Sequence, residues 1–409
     1  MVFEKYKDGL TVNQKVILGI QHTFTMFGAT VLVPILTGLD VSVALFMAGA
    51  GTIIFHLATK GMVPVFLGSS FAFIGPVAAI GSMYGLETAC GGMVIAGLFY
   101  LIVAVLIAMF GSEKVLSFFP PIVTGPVIII IGLTLAPVAI ANASSNWLLA
   151  VISFLIVVGV SIFTAGFISV LPILFGVFGG YIAGAVMGLV DFTAVYSAAW
   201  IGFPKFIIAK FDMAAVITIA PVAVATIIEH IGDVAAVSAT AGKNFIKSPG
   251  LHKTLIGDGL ATSVSAMFGG PANTTYSENT GVLALTKQYN PVVMRIAALF
   301  AIVLSIVPKL GAIISTIPIS VIGGISIVLF GMISAIGVRS VVENNVDFKD
   351  IRNLLVVAVI LVIGLGGTEI AVEVKSFNMI ISPIALAAVA GVILNKIIFI
   401  PVLKKPKEK

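Results

Sequence analysis

The chain is built from long apolar runs that repeat along its whole length, separated by short breaks of charged residues, glycine or proline. Each run has about 17–25 residues, which is enough for one helix across a hydrocarbon core of roughly 30 Å. The pattern predicts fourteen membrane spans in two sets of seven. The first set lies near 15–36, 41–58, 63–83, 87–110, 120–141, 147–166 and 168–190, and the second near 213–240, 252–268, 270–287, 291–315, 318–340, 351–368 and 380–402.

One segment, between Gly269 and Lys287, is polar and interrupted although it lies between two apolar runs. It contains Pro271, Asn273, Thr274, Thr275, Tyr276, Ser277, Glu278 and Asn279 before apolar residues resume. Irregular backbone at membrane depth survives only where protein buries it or where it lines a cavity, and a carboxylate there indicates function. The segment therefore predicts half of a substrate site, although a structural re-entrant loop or a long hydrophilic loop would give the same pattern.

The third segment of the first set is interrupted in the same way, by Pro64, Gly68, Ser69, Ser70, Gly75 and Pro76. With seven spans in each half, the second half enters the membrane from the opposite face, so the halves are inverted repeats. Interrupted segments at matching positions of inverted halves indicate a transporter's binding site. A helix that starts inside the membrane points unpaired N–H groups into the cavity, where they can hold a carbonyl or anionic oxygen. Phe71 and Ser277 lie where these half-helices begin.

Composition supports a membrane protein, because 59% of the 409 residues are hydrophobic and 10% are charged, against roughly 25% charged in soluble domains. The net charge of +5 does not indicate a nucleic-acid partner, since the basic residues form no cluster.

Eighteen of the basic residues lie on the side of the predicted spans that carries the termini, and only Lys205, Lys210, Lys309 and Lys375 lie on the other side. This bias predicts that both termini are cytoplasmic.

The single cysteine, Cys90, excludes an internal disulfide and a cysteine-based metal site.

Four acidic residues, Glu229, Asp233, Asp258 and Glu278, fall inside predicted spans where no Lys or Arg is placed to pair with them. They must therefore be protonated, hydrogen-bonded or exposed to a wet cavity. Glu229 and Asp233 are four residues apart and share one helix face. Two carboxylates one turn apart in a low-dielectric region do not both ionise easily, which suits a proton carrier; hydrogen bonding to neighbouring helices is the alternative. For Asp258, a structural or gating role is at least as well supported.

The four histidines do not have the spacing of a metal site. From their positions we expect His22 and His230 to be packed and hydrogen-bonded, His56 to lie in the core or an interface, and His252 to be cytoplasmic.

The run ENTGVLALTK, from Glu278 to Lys287, resembles the signature of the nucleobase–ascorbate transporter family. That signature has Gln, Glu or Pro, then Asn, any residue, Gly, four further residues, Thr, and finally Arg, Lys or Gly. Every fixed position is met. The blocks QHTFTMFGATVLVP, LGSSFAFIGPV, EHIGD, SPGLHK and GGPANTTYSEN are similar to those of uracil-transporting bacterial members, so the resemblance runs nearly from end to end.

The resemblance implies an all-α polytopic fold of fourteen spans, in which spans 3 and 10 are each a short extended strand followed by a half-helix. It places a core domain in 1–110 and 213–316, a gate domain in 111–190 and 317–402, an extracytoplasmic connection in 191–212 and a cytoplasmic tail in 403–409. It also implies proton-coupled uptake of a nucleobase across the bacterial inner membrane, with no metal or other cofactor. The implied partners are uracil, protons, membrane lipids and a second copy of the chain, without nucleic acid.

Carried onto this chain, the resemblance implies that the Glu229 and Glu278 side chains hydrogen-bond uracil. The backbone N–H groups of Phe71 and Ser277 are then expected to meet its carbonyl groups. This chemistry is sensible in itself, since uracil has two ring N–H donors and two carbonyl acceptors. The remaining predicted site residues are Tyr276, Ala29 and Ser70 for substrate binding, Asp233 with both glutamates for proton coupling, and His22, His230 and Asn279 in support.

Asp233 departs from the family pattern, because some uracil carriers have His at this position while purine carriers often have Asp. Glu278 favours uracil, since xanthine and urate carriers tend to have Gln there. A xanthine or other purine-base carrier is therefore the alternative within the family. An anion transporter of the same architecture would have basic or neutral residues at the half-helix starts, and no residue pattern supports an intramembrane enzyme.

Overall fold

The structure is a computed structural model that describes residues 9–367, 370–374 and 377–398. These residues are mostly helical, as the hydrophobic pattern predicts for a polytopic membrane protein. Lys375, the predicted tail at 403–409 and the last residues of the predicted final span lie outside the described residues.

The helices of the first half are α1 (Val12–Thr37), α2 (Val41–Ala58), α3 (Ile74–Tyr84), α4 (Leu86–Phe110), α5 (Ser112–Leu116), α6 (Pro121–Thr134), α7 (Ala136–Ser144), α8 (Trp147–Phe163), α9 (Pro172–Val186) and α10 (Thr193–Ser197). Those of the second half are α11 (Met213–Ile219), α12 (Ala223–Ala241), α13 (Leu251–Met267), α14 (Ser277–Thr286), α15 (Pro291–Ser305), α16 (Pro308–Ser315), α17 (Ile319–Glu343), α18 (Ile351–Gly366) and α19 (Pro383–Ile398). The strands are β1 (Leu67–Ser69), β2 (Asn273–Thr275), β3 (Ile370–Val374) and β4 (Phe377–Ile381).

Six helical stretches of the described chain are long and apolar enough to cross a membrane. They are Val12–Thr37, Val41–Ala58, Leu86–Phe110, Pro121–Ser144, Met213–Ala241 and Ile319–Glu343. Helices α15 and α16 form a further candidate that is bent by 81°. The chain is therefore a multi-pass membrane protein. The other predicted segments contain shorter helices, so the number of fourteen crossings stays a prediction.

The boundary between α1 and α2 illustrates how local sequence sets the helix ends. Thr11 and Gln14 form a capping box at the start of α1, in which each side chain satisfies a backbone N–H group of the other. Gly38 ends α1 at φ 82°, a left-handed conformation that glycine adopts without steric cost. Asp40 then accepts from the Val43 N–H group and starts α2.

Three predicted spans differ from the pattern because proline interrupts them. The segment at 213–240 is divided into α11 and α12 by a 3₁₀ turn that contains Pro221, and the segment at 120–141 is divided between α6 and α7 beside Pro137. The segment at 291–315 bends sharply before Pro308. Proline has no N–H group and clashes with the preceding turn, so it breaks or kinks a helix at each place.

The second departure is a hairpin that the hydrophobic pattern does not reveal. Strands β3 and β4 pair antiparallel, with Ile370 opposite Ile381 and Val374 opposite Phe377. Part of β4 falls within the segment predicted as the start of the last span at 380, which instead begins its helix at Pro383. The connection predicted at 191–212 contains the short helix α10 followed by non-helical backbone.

The two interrupted segments meet at the centre of the structure. Each has a three-residue strand followed by a helix: β1 leads through a 3₁₀ turn at Phe71–Phe73 into α3, and β2 leads into α14. The strands pair antiparallel, with Leu67 opposite Thr275 and Ser69 opposite Asn273. Because the strands run in opposite directions, the two helices begin on opposite sides of one small ladder.

Two groups of helices surround this ladder. Helices α1, α2, α4, α13 and α15 pack on one another and against the strands, while α6, α7, α8, α9, α17, α18 and α19 pack mainly among themselves. Helix α12 contacts both groups, touching α13 and α14 on one side and α6 and α19 on the other. A cavity between α12 and the half-helices is therefore enclosed by both groups.

Helices α4 and α13 cross with backbone against backbone. A Cβ atom at Gly97 would lie 2.6 Å from the Gly259 carbonyl oxygen, and Ser263 donates a hydrogen bond to the Val94 carbonyl at 3.0 Å across the same contact. Small residues allow such an approach between membrane helices.

We expect Gly97→Ala to lower the thermal unfolding midpoint of the purified protein, because the added methyl group forces α4 and α13 apart. Overpacking of this kind costs about 1–3 kcal/mol. Gly159→Ala in α8 is the matched control, since a Cβ atom there meets nothing within 4 Å and alanine favours a helix. Equal midpoints for Gly97→Ala and Gly159→Ala would contradict the tight crossing.

Candidate functional site

A small cavity lies between the starts of the two half-helices and helices α6, α12 and α17. It has a volume of about 50 Å³. Its wall is formed by Phe71, Ile128, Glu229, Asp233, Thr274, Thr275, Tyr276, Ser277, Glu278, Ile333 and Ile336. The polar part of the wall comes from α12 and the β2–α14 segment, while α6 and α17 supply only isoleucine.

Most of the predicted substrate-binding and coupling residues meet in this wall, but two of them do not. Ser70 belongs to the ladder, where its N–H group donates to the Ala272 carbonyl at 2.8 Å. Ala29 is fully buried among the packed side chains of α1 and its neighbours. Neither residue is part of the cavity wall, and the Ser70 hydroxyl is buried without a hydrogen-bond partner in the described part of the chain.

Glu229 lies in the first half of α12 and reaches the cavity. Its Oε2 atom is buried and has no hydrogen-bond partner in the described part of the chain. A buried polar atom without a partner is costly, so buried polar atoms are normally hydrogen-bonded. This oxygen is therefore placed to accept a hydrogen bond from an N–H group of a bound molecule.

Asp233, one turn further along α12, ties that helix to the β2–α14 segment. Its Oδ2 atom accepts from the Thr275 hydroxyl at 2.7 Å, and its Oδ1 atom accepts from the Ser277 hydroxyl at 2.6 Å. Hydrogen bonds to carboxylates are about twice as strong as those between neutral groups. Both oxygens of Asp233 thus hold the turn from which α14 starts.

The starts of the two half-helices provide backbone donors at the cavity. No side chain caps the start of α14 at Tyr276 or the 3₁₀ turn at Ser70. The first N–H groups of a helix have no partner within it and carry a partial positive charge. Glu278 lies in the first turn of α14, where this positive end favours a carboxylate.

Tyr276 lines the cavity in a fixed orientation. Its hydroxyl group donates to the Ser69 carbonyl at 3.1 Å and accepts from the Thr30 hydroxyl at 3.3 Å. Its ring lies so close to Gly68 that a Cβ atom there would be 2.5 Å from Cε2. The ring can therefore pack against a ligand only from the face that the ladder leaves open.

The predicted supporting residues His22 and Asn279 form a buried contact between α1 and α14. Asn279 Nδ2 lies 3.0 Å from His22 Nδ1 and donates to the His22 carbonyl oxygen at 3.2 Å. His22 is thereby packed and hydrogen-bonded rather than exposed in the cavity wall. The asparagine of the signature run has a structural role here, since Asn279 anchors the half-helix that carries Glu278.

His230 provides the partner of Asp258 that a search for Lys and Arg does not find. Its Nδ1 atom lies 2.9 Å from Asp258 Oδ2, and its Nε2 atom lies 3.0 Å from the Thr254 hydroxyl. All three side chains are buried. The contact joins α12 to α13 behind the cavity. Because the partners are far apart in sequence and on different helices, no local pattern indicates their pairing.

Sequence reasoning also missed the apolar side of the cavity. Ile128 from α6 and both Ile333 and Ile336 from α17 face the carboxylates. Isoleucine is so frequent in these helices that nothing distinguishes the three wall positions from lipid-facing or core ones. Among the described residues, no group of three or more His, Cys, Asp and Glu side chains is arranged to hold a metal ion.

Comparison with known proteins assigns the chain to a family. The model of the Permease family (Xan_ur_permease) matches residues 13–372. The "Uracil permease" of Bacillus caldolyticus is 42% identical over 407 residues, covering 96% of this chain and 94% of the relative. The "Probable uracil permease" of Haemophilus influenzae is 40% identical over 390 residues, covering 93% of each chain.

A similar fold occurs in a solved transporter structure. Murine Solute Carrier 26 family member A9, described as an anion transporter, aligns with a TM-score of 0.70 over 97% of this chain and 69% of its own, at 12% identity. At this identity the likeness concerns the fold alone. It supports a transporter fold of the kind predicted from the hydrophobic pattern.

Proposed function

This chain belongs to the Permease family, and we propose that it is a symporter that imports uracil together with protons by alternating access. Membership of the family confirms the prediction that the protein is a transporter rather than an enzyme. The names of its relatives support uracil as the substrate, since those relatives are 40–42% identical over nearly the full chain.

The observation that carries the proposal is the donor and acceptor pattern around the cavity. Glu229 and Glu278 provide carboxylate oxygens, and the helix starts at Phe71 and Ser277 provide backbone N–H groups. Uracil has two ring N–H groups and two carbonyl oxygens, so it can satisfy both kinds of partner at once. The unpaired Oε2 atom of Glu229 is the acceptor most in need of such a ligand.

The composition of the cavity wall favours uracil over an anion. The carbon edge of a pyrimidine suits the isoleucines that α6 and α17 supply. An anion is disfavoured because the wall contains three carboxylic acids and no Lys or Arg. Like charges repel strongly where water is excluded.

Proton coupling is assigned to Glu229, Asp233 and Glu278. They lie on one cavity, and two of them are one turn apart on α12. Interacting carboxylates take up and release protons as a group. Uptake of a proton by this group as uracil binds would link the two transported species.

We further propose the arrangement that this mechanism requires. Fourteen spans form two inverted repeats, with the core domain at 1–110 and 213–316 moving against the gate domain at 111–190 and 317–402, in a homodimer with cytoplasmic termini in the bacterial inner membrane. The antiparallel pairing of β1 with β2 supports an inverted relation of the halves. Helices α6 and α17 belong to the proposed gate domain, and the isoleucines that they contribute to the cavity wall support the assignment of this domain to one side of the cavity.

For specificity, we expect uracil to compete fully for uptake of labelled uracil and cytosine to compete poorly. Cytosine has an unprotonated acceptor at N3 and an amine in place of O4, so it mismatches a carboxylate and a backbone donor. A mismatched buried polar pair costs about 1–3 kcal/mol, or about five- to over a hundred-fold in affinity. Xanthine as competitor tests the purine alternative. Equal competition by cytosine would refute the proposed pairing.

For coupling, we expect uptake into cells or vesicles to rise as the external pH falls, because external protons are a co-substrate. A protonophore at constant sodium concentration should abolish accumulation, since it removes the proton gradient. Varying sodium at fixed pH is the control. A strict sodium requirement would overturn the proton as coupling ion.

We expect substitutions of Glu229 and Glu278 to impair different properties, namely uracil affinity and proton-driven accumulation, respectively. Glu229→Ala removes an acceptor and leaves a ligand N–H group unpaired, so uracil affinity should fall by about five- to over a hundred-fold. Glu278→Gln keeps the shape and one acceptor oxygen but cannot titrate, so part of the binding should remain while proton-driven accumulation fails. Asp233→Asn should damage transport less than either.

Uracil titration of the purified variants and uptake into energised vesicles separate binding from accumulation. Glu343→Gln is the matched control, because Glu343 is an exposed residue of α17 that pairs with Arg339. Full affinity in Glu229→Ala, or normal accumulation by Glu278→Gln, would place the site on other side chains.

A further inference from the structure

The outer edges of the central ladder need hydrogen-bond partners from outside it. Within the ladder, Ser70 N–H donates to the Ala272 carbonyl and Tyr276 N–H donates to the Phe66 carbonyl. Antiparallel strands alternate between residues that face the partner strand and residues that face away. Leu67 and Asn273, the first residues of β1 and β2, therefore point their N–H and C=O groups outward. In a buried site these groups require protein partners.

On one side the partner is Thr52 of α2. Its hydroxyl oxygen accepts from the Leu67 N–H group at 2.9 Å, while its O–H group donates to the Ala48 carbonyl of α2 at 2.8 Å and lies 3.3 Å from the Leu67 carbonyl oxygen. The side chain is completely buried. This hydroxyl group thus satisfies the N–H group of the residue that starts β1 and ties that residue to α2.

On the other side the partner is Thr262 of α13, which in the same way accepts from the first N–H group of its strand. Its hydroxyl oxygen accepts from the Asn273 N–H group at 3.2 Å and donates to the Asn273 carbonyl at 2.9 Å. Helices α2 and α13 are the second helices of the two predicted halves, and they pack directly on each other. The two threonines are therefore equivalent under the inverted relation of the halves.

The spacing along the chain connects these contacts to the substrate site. Leu67 lies four residues before Phe71, and Asn273 lies four residues before Ser277. Each threonine therefore holds the strand that delivers one of the two proposed substrate-binding N–H groups. We propose that Thr52 and Thr262 are a matched pair of positioning residues that set the depth of the Phe71 and Ser277 N–H groups in the cavity.

A further contact makes the two helices a common frame for both strands. The Asn273 side-chain amide donates to the Met47 carbonyl of α2 at 3.2 Å and to the Ala261 carbonyl of α13 at 3.3 Å. Gly51 leaves the space for this amide, since a Cβ atom at that position would overlap it. Because α2 and α13 are tied through Asn273, a shift of either helix moves both N–H groups together.

The test uses Thr52→Val and Thr262→Val, which keep the side-chain shape and remove the hydroxyl group, with Thr52→Ser and Thr262→Ser as rescue variants. In ligand-free protein, hydrogen exchange followed by mass spectrometry should rise for peptides covering 66–73 and 272–278 in the respective valine variants. Uracil affinity should fall roughly three- to ten-fold for each, the effect of one lost hydrogen bond. The serine variants should match the wild type in both measurements.

Thr59→Val and Thr37→Val are the matched controls, because these buried hydroxyl groups donate only to carbonyls of their own helices. They should change neither measurement. The inference rests on the proposed uracil site, and the exchange measurement separates the two. Faster exchange in a protein whose wild type does not bind uracil would refute the proposed function but support the positioning of the strands. Unchanged exchange, or faster exchange with unchanged uracil affinity, would overturn the positioning role.

Discussion

The requirement that every buried backbone N–H and C=O group find a partner governs the centre of this protein. The two interrupted segments, which contain β1 and β2, are not helical where they meet. Each therefore has a row of backbone N–H and C=O groups that lipid cannot satisfy. Strands β1 and β2 pair their inner backbone groups with each other, and threonine hydroxyl groups accept hydrogen bonds from N–H groups at the outer edges. The starts of the two half-helices have no side-chain cap and lie at the cavity.

Buried acidic side chains also require hydrogen-bond partners, and here the partners are other side chains. Asp258 is paired with His230, and Asp233 is held by two hydroxyl groups, so these acids join helices together. Glu229 lines the cavity, and one of its buried oxygens has no partner in the described part of the chain. Both oxygens of Asp233 are engaged, so among the described acids of the cavity wall Glu229 is the one whose buried oxygen is available to a ligand.

Much of this arrangement could be predicted, because its causes are local. Proline, glycine and polar residues at membrane depth reveal both interruptions, and intramembrane carboxylates reveal Glu229 and Glu278. The structure adds what depends on contacts between distant segments, such as the His230–Asp258 pair and the isoleucine wall. The backbone of Ser70 belongs to the ladder, a use that its residue type does not indicate. The proline bends fell inside apolar runs, where composition alone suggests continuity.

The hydrogen bonds of Asp233 have a consequence for redesign of the site. Because one carboxylate accepts from both Thr275 and Ser277, a change at any of these three positions alters what the other two require. Their mutational effects should not add, as is usual for residues that share one network. Evolution toward a new substrate would therefore have to substitute the three residues in a restricted order. Otherwise it would have to pass through a variant that tolerates an unpaired hydroxyl group.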